Sequence, residues 1–240
     1  MTNGTMGTRE TAAEDPTERE AARLAREGTP LERAAMALRA AAALLRDPDD
    51  TRQIFYVGLV VNRRTYPRFL ARLTEDDEGA RLLRERPAID STAIDYVALR
   101  ALPDGTLGRE YVRFLDAHGL DPDLFQAPPG LPEVPAYIGK RMRQVHDLWH
   151  VLTGYGPDVR GEIALQAFTW AQTGMASAML VTLGGSARFG LRDPRVVGGA
   201  IEGYRRGSRA RFLPSLRIED WLARPLDEVR RELRIEPAAA

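Results

Sequence analysis

Residues 141–172 read RMRQVHDLWHVLTGYGPDVRGEIALQAFTWAQ, and this stretch decides the predicted fold. Its apolar residues recur at helical rather than alternating spacing, on both sides of a break rich in glycine and proline at residues 154–161. Two helices joined by so short a loop are expected to form an antiparallel hairpin. We therefore predict an all-α, mainly helical protein: a single-domain helical array with this hairpin at its centre.

The same helical spacing recurs through most of the chain. Segment 54–61, IFYVGLVV, is the one run whose β-branched and aromatic content fits a strand. Residues 1–15 are polar and predicted to be a disordered N-terminus, residues 16–50 a helical extension, and residues 51–236 the main helical domain. Helices are predicted over residues 16–25, 31–45, 134–152, 162–183, 196–212 and 226–233.

The composition excludes several classes of protein. The 34 basic and 34 acidic side chains give a net charge of +0, which argues against a nucleic-acid binder. Cysteine is absent, which excludes disulfide scaffolds, thiolate nucleophiles, zinc ribbons and iron–sulfur clusters. Any metal site must therefore use histidine, aspartate and glutamate, and the chain has only three histidines. The N-terminus lacks the apolar run of a signal peptide, so cytoplasmic residence is expected.

Residues 163–187 carry no charge, which raises the question of a transmembrane helix. The segment also contains several glutamine, threonine, serine and glycine residues. Polar groups at this density are costly in lipid, so we predict a buried central helix instead.

Four polar side chains fall on one face of the first helix of the hairpin. His146 and His150 are i, i+4 neighbours, so their rings project from the same side. Arg143 and Asp147 fall within the same arc of roughly 100°. The opposite face is apolar and carries Val145, Leu148, Trp149 and Leu152.

Glu162 completes a candidate set of metal ligands. It opens the second helix, where the helix dipole favours an acidic side chain, and the short loop brings it near His150. Two histidines, Asp147 and Glu162 form an N2O2 set that suits Zn²⁺, Mn²⁺, Fe²⁺ or Co²⁺. An i, i+4 histidine pair alone is more often structural, so the prediction depends on the agreement of the aspartate, the glutamate and the helix reversal. A metalloprotease is not predicted, because Asp147 stands where the zincin helix has glutamate.

Other polar residues near this motif each have two interpretations. Arg143 either forms an i, i+4 ion pair with Asp147 or orients that carboxylate and receives an anionic group of a substrate. His118 precedes a glycine and is interpreted as a helix C-terminal residue that the dipole favours. A polar stripe on the second helix either packs against another helix or lines one wall of a mostly apolar pocket. The stripe consists of Glu162, Gln166, Thr169, Thr173 and Ser177.

Residues 146–162, HDLWHVLTGYGPDVRGE, have the form HDxxH-x11-E and resemble the signature of the coenzyme Q (ubiquinone) biosynthesis protein 4 family. LPDGTLGREYVRFLDAHGL, at residues 102–120, is similar to that family's PxGTLGxxYxxF block. ALQAFTWAQTG and WLARPLDEVRRELRI, further along, also resemble family members. The resemblance covers roughly residues 54–235.

This resemblance implies a mainly helical protein that holds a divalent metal ion through His146, Asp147, His150 and Glu162. Zn²⁺ is the first expectation for the metal, with Fe, Mn or Co as alternatives. The implied reaction is oxidative decarboxylation at ring carbon C1 of a polyprenylated hydroxybenzoate precursor in ubiquinone biosynthesis. Asp147, as proton donor or acceptor beside the metal, and Arg143 are the catalytic candidates.

The resemblance also implies partners. These are a prenylated aromatic molecule or isoprenoid lipid, other quinone-biosynthesis proteins, and peripheral contact with the inner face of a membrane; a homodimer is left open. Residues 51–236 would then form a metal- and lipid-binding domain, with Gln166, Thr169 and Thr173 in a pocket for the prenyl tail.

Two other functions compete with the decarboxylase. The first is a non-catalytic prenyl-lipid-binding scaffold that organises quinone-biosynthesis enzymes and in which the metal is structural. The second is a metal-dependent hydrolase with a clustered HD pair, for which only His118 remains as a further histidine ligand.

Overall fold

The computed structural model describes residues 20, 23–24, 27–46, 58, 60–124 and 131–238, with 40–46 as backbone. These residues form α-helices, three short 3-10 turns and no strand, which confirms the all-α prediction. The ten α-helices of this part of the chain are α1 (Pro30–Arg46), α2 (Tyr66–Glu75), α3 (Asp77–Glu85), α4 (Tyr96–Arg100), α5 (Leu107–His118), α6 (Glu133–Thr153), α7 (Val159–Thr173), α8 (Ala176–Phe189), α9 (Arg195–Arg209) and α10 (Leu226–Leu233).

Three of the six predicted helices agree closely with the structure: residues 31–45, 134–152 and 226–233 match α1, α6 and α10 within two residues at each end. The helix predicted over residues 196–212 corresponds to α9 but ends three residues earlier. Most of the helix predicted over residues 16–25 lies outside the described residues. The strand interpretation of segment 54–61 is wrong where it can be judged, because Gly58, Val60 and Val61 are helical. The rest of that segment and the predicted disordered N-terminus lie outside the described residues.

The single helix predicted over residues 162–183 is wrong, because the chain breaks into α7 and α8 at Gly174. This residue has φ +66°, and its backbone N–H donates to the carbonyl of Trp170 to end α7. Glycine adopts this left-handed conformation without steric cost, so it ends a helix whose side chains would otherwise allow it to continue. Ser177 therefore lies on α8 and does not continue the polar stripe of α7.

Two residues from the N-terminal half of the chain cap the start of α8. The side-chain carbonyl of Asn62 accepts from the backbone N–H of Ser177 at 2.8 Å, and the Asn62 amide donates to the Ser177 hydroxyl at 2.9 Å. The Thr65 hydroxyl accepts from the N–H of Ala176 at 3.3 Å. The first N–H groups of a helix have no partner within it, so these contacts satisfy them across the fold.

The main hydrophobic core lies where α5, α6, α7 and α10 meet. α6 packs chiefly against α5, and α7 packs chiefly against α9. The backbones of α7 and α9 approach so closely that a Cβ atom on Gly203 would lie 2.1 Å from the Ala164 carbonyl oxygen. Fully or nearly fully buried side chains of this core include Leu107, Tyr111, Leu148, Trp149, Leu152, Leu165, Phe168, Val229 and Leu233.

The C-terminal segment holds the last turn of α6. The Arg230 guanidinium donates to the carbonyls of Val151 and Leu152, at 2.9 and 3.0 Å. The backbone N–H of Ala238 donates to the carbonyl of Thr153 at 2.7 Å. Helix-end carbonyls otherwise lack partners, so α10 and the residues after it complete α6.

α8 has an apolar face that the protein does not cover. Ala178 and Thr182 are buried, whereas Leu180 and Leu183 are each 53% exposed. Leu191, just beyond the helix, is 94% exposed. The prediction of one buried central helix is therefore wrong for its second half. Within the described part of the chain, no helix combines the length and apolar character needed to cross a membrane.

Candidate metal centre

α6 carries the predicted site on its half-exposed face. It starts after Pro132 and ends at Gly154, which has φ +72°. The opposite face is buried as predicted, with Val145, Leu148, Trp149 and Leu152 each at most 5% exposed. The rings of His146 and His150 lie on the same side with centroids 4.8 Å apart, nearly perpendicular at 88°. Burial of the apolar stripe thus fixes the direction in which both histidines point.

Glu162 reaches both histidines from the first turn of α7. α7 begins at Asp158, whose carboxylate accepts from the Gly161 N–H at 2.6 Å and caps the helix. The Glu162 carboxylate oxygens lie 3.1 Å from Nε2 of His150 and 3.4 Å from Nε2 of His146. The ligand atoms of these three residues all lie within 4.8 Å of one another.

The cluster opens to solvent on one side. The exposed fraction of the side chain is 2% for His150, 21% for His146 and 40% for Glu162. A small ion or ligand therefore has access from the Glu162 side, while His150 forms the floor.

The tautomer of His150 follows from its second hydrogen bond. Nδ1 lies 2.9 Å from the carbonyl oxygen of Tyr155, which can only accept, so Nδ1 carries the proton. In a neutral ring this leaves the lone pair on Nε2, which faces Glu162. A backbone or carboxylate oxygen on the remote nitrogen is the usual support of a metal-binding histidine.

Without a metal, the three groups form a charged hydrogen-bonded cluster. Burial alone would raise the pKa of Glu162, but hydrogen bonds from His146 and His150 lower it to about 2. Burial alone would lower the pKa of His150, but Glu162 and the Tyr155 carbonyl outweigh it and raise that pKa above its usual value. Each of Glu162 and His150 therefore favours the charged form of the other when no ion is bound.

Asp147 does not join the ligand atoms of this cluster. It is half-buried, and burial raises the pKa of its carboxyl, against the opposing effect of the two neighbouring histidines. Within the described residues, three groups rather than the predicted four converge on one point. The charges of His146, His150 and Glu162 influence the pKa of Asp147, and its role as a proton donor or acceptor stays a prediction.

Arg143 does not form the i, i+4 ion pair with Asp147 that was one of its two interpretations. Among the described residues the guanidinium has no carboxylate within 4.0 Å, and Glu162 is the one acidic group that influences its pKa. Burial lowers the pKa of Arg143 to about 10, and the Glu162 charge opposes this shift. A half-buried arginine without an anionic partner, one helical turn from His146, is suited to receive an anion.

The polar stripe on α7 is shorter than predicted. The Thr173 hydroxyl donates to the carbonyl of Thr169 at 2.8 Å, a bond local to the helix. The Thr169 hydroxyl is buried and has no hydrogen-bond partner among the described residues. Gln166 and Thr169 are half-buried, and Thr173 is 6% exposed. Their role as a pocket for a prenyl tail stays a prediction.

Two contributors to the site escaped the sequence-based prediction. Phe114 of α5 stacks on the ring of His150, with centroids 5.3 Å apart and planes 18° apart. The sequence did contain a signal for this residue, because Phe114 is the last residue of the PxGTLGxxYxxF block. Tyr155 contributes through its backbone carbonyl, which no residue pattern reveals. His118 is the last residue of α5, as predicted, and its ring also contacts Phe114.

Comparison with known proteins agrees with this picture. The chain is 34% identical over 209 residues to the ubiquinone biosynthesis protein COQ4 homolog, mitochondrial, of Danio rerio, covering 86% of this chain and 77% of that protein. The Homo sapiens homolog of the same name is 33% identical over 211 residues, with 86% and 79% covered. A crystal structure from Nostoc punctiforme PCC 73102 has the same fold, with a TM-score of 0.67 at 24% identity; the match covers 84% of this chain and 95% of that one.

The family comparison covers more of the chain than the motifs do. The model of the family described as coenzyme Q (ubiquinone) biosynthesis protein Coq4 matches residues 25–239. The match begins within the predicted N-terminal extension and continues through all the helices that form the site. This protein belongs to the coenzyme Q (ubiquinone) biosynthesis protein Coq4 family and is involved in ubiquinone biosynthesis.

Proposed function

We propose that the protein binds one divalent metal ion at His146, His150 and Glu162 and catalyses oxidative C1 decarboxylation of a polyprenylated hydroxybenzoate. The observation that carries this proposal is the position of Arg143, which has no carboxylate within 4.0 Å among the described residues and lies one helical turn from His146 of the cluster. An aromatic carboxylate would satisfy Arg143 and come close to the metal ligands at the same time.

The three side chains fit a divalent ion. Two imidazole nitrogens and one carboxylate, placed within 4.8 Å of one another, are the donor set of non-haem Fe²⁺ oxygenases and of some catalytic zinc sites. Three protein ligands leave coordination positions open for a substrate. A bound redox-active ion such as Fe²⁺ would supply Lewis acidity and electron transfer, and Zn²⁺ would supply only the first.

The proposed reaction replaces the ring carboxyl with a hydroxyl. Dioxygen is the oxidant: the bond from C1 to the carboxyl carbon breaks and CO2 leaves, and a bond from C1 to one oxygen atom of O2 forms. The second oxygen atom leaves as water, which requires two electrons and two protons from an added reductant. We assign the two electrons to a separate two-electron donor.

Each polar residue has a defined task in this scheme. Arg143 binds and orients the carboxylate through its guanidinium. Asp147, whose raised pKa favours the protonated form, transfers a proton to or from the substrate oxygen. Gln166, Thr169 and Thr173 of α7 lie along the same side of that helix as Glu162, where the tail of the substrate would extend.

The exposed face of α8 supports peripheral contact with a membrane. Leu180, Leu183 and Leu191 expose apolar surface, and the single charge of α8 is Arg188 in its last turn. A short apolar helix with a cationic end is suited to lie at the surface of a lipid layer. Peripheral contact of this kind would let a prenylated substrate reach the protein without crossing water.

The competing function is the lipid-binding scaffold with a structural metal. One observation favours it: the three ligands join α6 to α7, so an ion there would also hold the two helices together. Zn²⁺ would serve this role. Under this alternative, removal of the metal lowers the thermal stability while prenyl-lipid binding survives.

Turnover distinguishes the two functions. The purified protein, loaded with Fe²⁺ in one sample and Zn²⁺ in another, is incubated with prenylated 4-hydroxybenzoate, ¹⁸O2 and a chemical reductant. We expect mass spectrometry to detect the decarboxylated hydroquinone with one ¹⁸O atom, in the Fe²⁺ sample only. The double variant His146→Ala, His150→Ala is the matched control. A folded, metal-loaded and substrate-bound protein that yields no product would establish the scaffold instead.

A further inference from the structure

The ring of Phe114 lies between two of the three histidines of the chain. It stacks on His150 with 5.3 Å between centroids, and the ring of His118 meets it edge-on at 4.7 Å. His146 in turn contacts His150 at 4.8 Å. All three histidines therefore belong to one line of ring contacts that passes through Phe114.

The position of Phe114 follows from the stripe of α5 that faces α6. Tyr111, Phe114 and His118 are spaced i, i+3 and i+7, so they share one face of the helix. Tyr111 is 1% exposed in the main core, which fixes the rotation of α5 about its axis. That rotation places Phe114, one turn further along, over the imidazole of His150.

His150 is held in two independent directions. The hydrogen bond from Nδ1 to the Tyr155 carbonyl fixes the direction of the ring within its plane. It leaves the ring free to tilt about the axis of that bond. The face-to-face contact with Phe114, with planes 18° apart, opposes this tilt. Together the two contacts direct Nε2 toward Glu162 and His146.

We propose that Phe114 is a positioning residue that holds the His150 imidazole in the orientation its Nε2 needs to bind a metal. Phe114 has no donor atom for a metal; its role is exerted through the ring of His150. The same contact covers one face of that imidazole, which is 2% exposed. The prediction about metal affinity rests on the proposed function, whereas the orientation of the ring does not.

The test compares Phe114→Leu with the matched control Phe69→Leu. Both changes replace an aromatic ring with an aliphatic group, but Phe69 of α2 lies edge-on to Phe212 in a separate hydrophobic cluster. In the metal-free protein, NMR of labelled histidine is expected to show signals from nuclear Overhauser effects between the rings of His150 and His146, whose centroids lie 4.8 Å apart. These signals are expected to weaken in Phe114→Leu, because the His150 ring is then free to tilt, and to stay unchanged in Phe69→Leu.

Metal binding supplies the second measurement. Titration with Co²⁺, followed by its visible absorption, is expected to show affinity about 10–100-fold weaker in Phe114→Leu, as for other residues that support metal ligands. Phe114→Tyr, which keeps the ring, is expected to retain both the signals and the affinity. Phe69→Leu is expected to bind Co²⁺ as the unmodified protein does.

Several results would overturn the proposal. Unchanged signals between His150 and His146 in folded Phe114→Leu would do so, as would weakened signals with unchanged Co²⁺ affinity. If Phe114→Leu does not fold, the absence of a nuclear Overhauser effect between the Phe114 and His150 rings of the unmodified protein is decisive in the same way. If the unmodified protein binds no metal, the proposed function fails by itself, and the metal-free signals still decide whether Phe114 orients His150.

Discussion

The carboxylate of Glu162 lies 3.1 Å from Nε2 of His150, so the start of α7 meets the last turns of α6. The two residues belong to different helices, and neither helix packs most extensively against the other. Besides the shared core, where the rings of Trp149 and Phe168 meet, the loop at residues 154–158 and these two side chains join the helices.

Metal binding should depend on the two histidines. We expect metal analysis of the purified protein to give close to one divalent ion per chain at the cluster of three ligands. The double variant His146→Ala, His150→Ala removes both nitrogen donors and should lose this ion. Asp147→Ala, in contrast, should keep it, because Asp147 lies outside the group of ligand atoms. Full occupancy in the double variant would show that the ion binds elsewhere.

The stability of the metal-free protein should depend on pH through the contact between Glu162 and His150. The pKa of Glu162 is lowered to about 2 from 4.5, so its contribution to stability is present above about pH 4.5 and is lost as the pH falls toward 2. The pKa of His150 is raised above 6.5, so its contribution is present below 6.5 and is lost as the pH rises through the raised value.

The measurement is the melting temperature after treatment with EDTA, from about pH 5 to about pH 9. The difference between the unmodified protein and Glu162→Gln should shrink as the pH rises. Metal affinity should instead increase as the pH rises, because the metal competes with protons for the imidazoles. A difference in melting temperature that is constant across this pH range would show that the ionic contact contributes nothing to stability.

Arg143 should determine the affinity for an aromatic carboxylate. Arg143→Gln keeps much of the side-chain volume but removes the charge. A charge-assisted hydrogen bond contributes about 1.5–3 kcal/mol, so binding of 4-hydroxybenzoate should weaken by roughly 10–100-fold. Arg113→Gln, on the exposed side of α5, is the matched control. Calorimetry gives both affinities, and equal values for the two variants would exclude Arg143 as the anion-binding group.

A methyl group added at Gly174, where α7 ends, should destabilise the protein. Gly174 has φ +66° and no atom within 4 Å of an added Cβ, so Gly174→Ala should cost about 1–2 kcal/mol through the backbone alone. Gly184 is equally open but lies inside α8, so Gly184→Ala should stabilise by about 0.5–1 kcal/mol. Denaturant unfolding measures both. The same sign of change in both variants would contradict this account of the break.

The exposed face of α8 should bind lipid. Burying a leucine side chain contributes about 1.5–3 kcal/mol, so Leu180→Ser with Leu183→Ser should weaken co-sedimentation with anionic phospholipid vesicles by at least about tenfold. Leu31→Ser with Leu38→Ser changes two leucines of α1 that are 80% and 72% exposed and should have no effect. An equal loss of vesicle binding in both double variants would show that the α8 face is not the lipid-binding surface.

Local patterns were enough to predict the main helices and the ligand cluster. The apolar stripe of α6 predicted the direction of His146 and His150, and the acidic residue after the break predicted Glu162. These inferences use periodicity and spacing within one short segment, where the chain itself limits the geometry. The end of α7 was missed because Gly174 stands in an uninterrupted uncharged run, and glycine inside such a run does not by itself fix a helix end.

Contacts between distant segments were not predictable in the same way. Nothing in the pattern pairs Asn62 with Ser177 or Phe114 with His150, because such contacts depend on how whole helices are placed. The same applies to Asp147 and Arg143, whose i, i+4 spacing allows an ion pair. The pair is not formed, because spacing along a helix permits a contact without specifying the rotamers that make it.

The connection between the C-terminal segment and α6 bears on the order in which the site forms during synthesis. The carbonyls at the end of α6, next to His150, accept from Arg230 and Ala238, which are translated well after α6. Domains generally fold as their N-terminal parts emerge first. Here a nascent chain that already contains His146, His150 and Glu162 still lacks the donors that complete α6 until α10 and the residues after it have been made. We therefore expect a chain truncated before α10 to carry the whole motif without its support.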